Sequence, residues 1–129
     1  MKIYRKNFES MDRYITYTEN HDISDNTVTV IDEAGWIKLD IVTECKNMKT
    51  AVNRMFSVLT DEEIKNYELD GWQDCILESI DSNYFSGGKY AAMENRWDPN
   101  DYYYSWEIEW IDENRVYLFL NVNYQIFKA

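Results

Sequence analysis

The apolar residues of this chain change period twice, and that change restricts the fold more than any other feature. Between residues 36 and 43, Ile37, Leu39 and Ile41 alternate with Trp36, Lys38 and Asp40. A period of two marks a strand with one buried face. Residues 27–31 are strand-like as well, and a turn through Asp32, Glu33, Ala34 and Gly35 closes the two runs into a hairpin. The period then lengthens. Met48, Ala51, Val52, Met55, Phe56 and Leu59 fall on one face of a helix. Asn47 is placed to cap it. Thr60 followed by Glu63 is a capping-box pattern, so a second helix starts near Asp61. The chain breaks at Asp70 and Gly71, and a third helix runs from about residue 71 to 81, burying Trp72, Ile76 and Ile80.

The period of two returns near the end. Tyr104, Trp106, Ile108 and Trp110 alternate with Tyr103, Ser105, Glu107 and Glu109 over residues 102–111. After a turn at Asp112, Glu113 and Asn114, residues 115–127 place Val116, Leu118, Leu120, Val122, Tyr124 and Ile126 on one face. Residues 13–18, rich in Tyr, Thr and Ile, read as a further strand. The stretch from 83 to 101 is the least regular, with Gly87 and Gly88 and a turn at Asp98, Pro99 and Asn100. Two hairpins flanking a helical segment imply an α+β domain. Its antiparallel sheet has five or six strands, with two or three helices on one face. The whole chain of 129 residues is expected to be one domain.

The charge is uneven. The formal net charge is −11, which repels phosphates and anionic membrane surfaces and favours a basic protein partner. Residues 60–82 carry eight carboxylates against Lys65 alone, and residues 19–46 carry seven against Lys38 and Lys46. On the third helix Asp70, Asp74, Glu78 and Asp81 fall on one face, with Leu77 among them as an apolar anchor. Together with Asp61, Glu62 and Glu63 they form the expected partner-binding surface. Carboxylates four residues apart lie roughly 6 Å apart along a helix axis, a scale and sign that suit phosphate mimicry.

Catalytic and metal motifs are missing. The one histidine, His21, lies in a polar stretch, so neither a histidine metal set nor a serine triad with a second histidine can form. Cys45 and Cys75 form no C-x-x-C pair, and free thiols in a reducing compartment are expected. Cys75 reads as a packing residue. Ser86, Gly87, Gly88 and Lys89 lack phosphate-loop spacing, and Asp22, Asp25 and Asp32 lack calcium-loop spacing. No cofactor or metal is expected. Glu107 and Glu109, with Tyr103 on the same strand face, are the one carboxylate set open to acid–base work. No secretory signal or membrane-spanning run is visible, which points to a soluble cytoplasmic protein.

Small size, acidity and the absence of catalytic motifs give a composition similar to that of phage and mobile-element proteins that block CRISPR or restriction enzymes. The likeness implies a non-enzymatic inhibitor that occupies the basic surface of a nucleic-acid-handling enzyme. An immunity or adaptor protein that neutralises a basic partner fits the same composition. A small-ligand-binding domain or carboxylate enzyme built on Glu107, Glu109 and Tyr103 is the alternative of a different class.

Overall fold

The computed structural model describes residues 2–21, 25–82, 92–96 and 103–127. They form an α+β fold on a six-stranded sheet of order β1-β2-β3-β6-β5-β4. The strands are β1 (Tyr4–Phe8), β2 (Thr27–Glu33), β3 (Trp36–Glu44), β4 (Ala92–Arg96), β5 (Tyr104–Trp110) and β6 (Arg115–Asn123). The helices are α1 (Met11–Asn20), α2 (Met48–Ser57), α3 (Asp61–Asn66), α4 (Trp72–Asp81) and the short α5 (Tyr124–Phe127).

Both expected hairpins form. The β2–β3 connection is a two-residue turn with Ala34 at φ +51° and Gly35 at φ +86°, the positive pair that suits the twist of a tight hairpin. A side chain at Gly35 would also collide with Gln125, whose Cδ lies 2.5 Å from the position of an added Cβ. The central seam is β3 against β6, in register from Trp36 opposite Asn123 to Glu44 opposite Arg115. Their inner faces, Ile37, Leu39 and Ile41 with Val116, Leu118, Leu120 and Val122, are all fully buried. Met48, Ala51, Val52, Met55 and Phe56 of α2 and Ile76 of α4 complete that core.

Two sequence readings change. Residues 13–18 are helical, as part of α1. Ser10 caps α1 by accepting from the Arg13 N–H (3.2 Å), and Tyr14 and Tyr17, three positions apart, both pack on Phe8 of β1 at 5.4 Å between ring centroids. Capping and packing outweigh the strand preference of Tyr, Thr and Ile here. The topology demands the same result, because β1 pairs β2 in parallel and parallel neighbours need a crossover connection. The last strand ends at Asn123, short of residue 127. Tyr124 leaves the ladder because its N–H bonds the Gly35 carbonyl (3.0 Å) and its hydroxyl bonds Asp32 (2.7 Å).

Helices α2 and α4 lie on the inner face with α3 beside them. Among the described helices, α1 is the one on the outer face, over Phe8, Thr29 and Ile31. Arg5 ties the sheet edge to α3. Its guanidinium donates to both carboxylate oxygens of Glu63 and to the Val58 carbonyl (3.0 Å). Glu63 also closes the capping box with Thr60. The Arg5 hydrogen bonds, with help from Thr60, hold the Glu63 carboxyl down at about 2. A carboxyl lowered on folding stabilises the fold above its unfolded value, near 4.5, and that contribution fades as pH falls toward 2. The pair is partly solvated, so its worth is about 1 kcal/mol. Glu63→Gln is therefore expected to lower unfolding free energy by about 1 kcal/mol at pH 7 and by little near pH 2. Urea unfolding of the two proteins at both pH values checks this.

Candidate functional site

The structure separates the predicted acidic residues into three kinds. Asp74, Glu78 and Asp81 share the exposed face of α4. The side-chain carboxylates of Asp74 and Glu78 enter no hydrogen bond or ion pair among the described residues. Asp81 is bound, by Lys49 of α2 at 2.7 Å. A lysine from a neighbouring helix thus reaches the end of a face that carries no basic residue of its own. Asp70 lies outside α4, because Gly71 takes a left-handed φ of +85° at the N-cap and turns the chain there. Asp61 and Glu62 are exposed in the first turn of α3, where carboxylates favour the helix dipole. Glu63 is committed to Arg5 and to capping.

Leu77 is not an exposed anchor. It is half-buried and packs against the core beside Ile76 and Ile80, since a residue one position from Ile76 lies over the helix flank facing the sheet. Cys75, expected in the packing, is exposed, whereas Cys45 is buried. Both thiols are raised by desolvation, so neither is an activated nucleophile.

Glu107 and Glu109 do share a face, the outer one. There the register lays three rungs side by side: Lys38, Asn121 and Ser105; Asp40, Phe119 and Glu107; Val42, Tyr117 and Glu109. Tyr103 lies just before β5, where its carbonyl accepts from the Asn123 N–H (2.8 Å). Burial and the nearby charges of Asp40, Glu107 and Glu109 raise the Tyr117 phenol. The indentation beside Ser105, Glu107 and Phe119 holds only about 40 Å³, far below the several hundred of an ordinary ligand pocket. A roomier groove of about 420 Å³ opens at the start of α2, between Glu44, Lys46, Thr50, Arg54 and Asn114. Its guanidinium, Arg54, is held by the Thr43 hydroxyl (2.7 Å) and the Glu44 carbonyl.

Sequence reasoning missed Asp40. It sits in mid-strand on the outer face, opposite Thr29 and Phe119 and beneath Tyr14 of α1. Desolvation pushes its carboxyl up to about 6, against a smaller opposing effect of the Thr29 hydroxyl. The available signal was its place in a central strand, where both faces are covered once a helix crosses the outer side. Ser86, Gly87, Gly88, Lys89 and Asp22 lie outside the described residues. Among the described residues no group of three or more His, Cys, Asp and Glu is placed to hold a metal ion, and no helix is long and apolar enough to cross a membrane. Comparison with protein-family models, with curated proteins and with solved structures finds no match.

Two outcomes follow from these placements. Leu77→Ala should cost about 1–2 kcal/mol in urea unfolding, below the 2–5 of a fully buried leucine; an unchanged midpoint would return Leu77 to the surface. Asp40 has its carboxyl raised on folding, so the stability it favours is present below its unfolded value near 3.8 and is lost as pH rises through about 6. Thermal unfolding of Asp40→Asn should therefore gain on the parent between pH 4 and pH 7, by up to on the order of 3 kcal/mol.

Proposed function

We propose that this chain is a non-enzymatic binding protein whose acidic surface engages the basic surface of a protein partner. The observation that carries the reading is the α4 face, where Asp74 and Glu78 are exposed and their carboxylates meet no lysine or arginine among the described residues. Like charges four residues apart on a helix cost roughly 0.2–0.5 kcal/mol, and among the described residues no lysine or arginine pairs with either carboxylate. Glu78 and Asp81 also stand toward the C-terminal end of α4, where the helix dipole disfavours carboxylates. Charge kept where it weakens the fold points to use by a partner. Asp61, Glu62 and Asp70 extend the negative surface onto α3 and the turn before α4.

The partner best suited to such a surface is a nucleic-acid-handling enzyme, whose basic channel accepts carboxylates in place of phosphates. This is the inhibitor reading, of the kind directed at CRISPR or restriction enzymes. Direct binding of nucleic acid is disfavoured by the net charge of −11. The small indentation beside Glu107 gives a carboxylate enzyme little room for substrate.

The test is capture of the partner with the parent protein and with the double variant Asp74→Lys, Glu78→Lys. Affinity for the captured protein should fall at least about tenfold in the variant, and should fall steeply with salt for the parent. Binding indifferent to salt rejects the reading. Competition by DNA or guide RNA identifies phosphate mimicry, and its absence leaves an immunity or adaptor role on the same surface.

A further inference from the structure

From Cys45 to Thr60 the chain carries Lys46, Lys49 and Arg54 and no carboxylate. In a protein of net charge −11 this run is a local reversal of sign. It spans the turn after β3 and the whole of α2, whose first turn holds no acidic residue, whereas the first turn of α3 holds Asp61, Glu62 and Glu63. The groove of about 420 Å³ at the start of α2 opens on this run, walled by Glu44, Cys45, Lys46, Thr50, Arg54 and Asn114. Arg54 is fixed there through one nitrogen. Its Nη1 donates to the Thr43 hydroxyl (2.7 Å) and to the Glu44 carbonyl, and the buried Thr43 hydroxyl is itself anchored by donating to Asn26 (2.6 Å). Nε and Nη2 enter no hydrogen bond among the described residues, and no described carboxylate pairs with the guanidinium. Arg5 and Arg115, the other described arginines that are not fully exposed, each hold a carboxylate, Glu63 and Asp112. Lys49 is bound to Asp81, while Lys46 forms no ion pair among the described residues.

A guanidinium held on one side, with N–H groups left over on the other, is a receptor for an oxyanion. We propose that this groove is a binding site for a phosphate group. Arg54 and Lys46, both without a carboxylate partner, match its double charge. The Thr50 hydroxyl and the Asn114 side-chain amide make no hydrogen bond among the described residues and add neutral donors. The positive end of the α2 dipole lies beside them. A tetrahedral anion uses donors that arrive from several sides, which a planar carboxylate does not. Glu44 also lines the groove, but it is exposed and pairs with neither cation, and alternation along β3 puts it on the outer face, away from α2. The net charge of the chain opposes any anion. Salt screens charges beyond about 8 Å at physiological ionic strength, so the groups lining the groove decide. Its volume lies within the range of small-ligand sites and admits the organic part of a small phosphomonoester as well as phosphate itself. The site stands independently of the α4 surface.

The test is an NMR titration of the full chain with sodium phosphate and, at equal ionic strength, with sodium chloride. Phosphate should shift the Arg54 Nε–H signal and the backbone amides of residues 46–50 to saturation, and chloride should not. Lys46→Met leaves the Arg54 contacts in place and should raise the phosphate Kd about fivefold or more, the loss of one cation at contact distance from a dianion. Arg54→Met should abolish saturation. Because Arg54 also ties α2 to β3, its amide spectrum is compared with the parent's, and if that variant unfolds Lys46→Met decides alone. Glu44→Gln, which removes the carboxylate lining the groove, should bind more tightly than the parent. Glycerol 1-phosphate binding more tightly than inorganic phosphate assigns a phosphomonoester; equal or weaker binding assigns the free ion. Equal shifts in the two salts overturn the site, as do shifts spread over the exposed lysines of the whole surface or a Kd unchanged in Lys46→Met. Binding kept in the Asp74→Lys, Glu78→Lys variant separates the groove from the α4 surface, and its loss there overturns the site as well.

Discussion

The antiparallel seam between β3 and β6 is the interaction on which the remainder depends. It joins segments that begin at Trp36 and end at Asn123, and each brings its own hairpin partner to the sheet. The seam also fixes parity. With Leu39 opposite Leu120 and Asp40 opposite Phe119, a slip of one residue would move every buried aliphatic group to the outer face. Helix α2 then covers the inner aliphatic layer, and α4 packs beside it through Ile76. The acidic face of α4 is exposed because the opposite face is committed to this core.

Around the seam a few polar contacts fasten the periphery. Asp32 accepts from Tyr67 and Tyr124, whose rings meet at 5.2 Å, and so holds the end of α3 and the start of α5 against the first hairpin. Hydrogen bonding to Asp32 raises the Tyr124 phenol to about 12, which keeps it a donor at any ordinary pH. At the other end of the sheet, Thr43 donates to Asn26 (2.6 Å) and accepts from Arg54 (2.7 Å). These contacts use charge inside the fold. They explain why the carboxylates of the chain divide into structural ones, such as Asp32 and Glu63, and ones left to solvent, such as Asp74 and Glu78.

The two sides of the sheet therefore differ in kind. The inner side is buried and mostly apolar, and its helices turn carboxylates outward. The outer side is a mixed surface of aromatic and acidic rungs, half roofed by α1, which buries no residue of its own completely. The exposed carboxylates of α4 lie on one side of the sheet and the partly buried Asp40 on the other.

Period alone determined much of this. The alternation of Ile37, Leu39 and Ile41, the 3.6-residue stripe from Met48 to Leu59, and the alternation from Val116 to Val122 specified two hairpins, the core helix and their buried faces. The Thr60–Glu63 capping pair located α3, and Asp70 with Gly71 located the break before α4. These signals are local, written within one or two turns of chain. The helical state of residues 13–18 was not legible, because it rests on Phe8 lying under Tyr14 and Tyr17 and on a parallel β1–β2 pairing that needs a crossover. Partnering of the carboxylates was not legible either. Only the fold brings Arg5 to Glu63 and Lys49 to Asp81, while the Asp74 carboxylate meets no cation among the described residues. Asp40 is the plainest case: alternation marks it as an outward residue of a strand, and only the crossing of α1 over that face partly shields it from water.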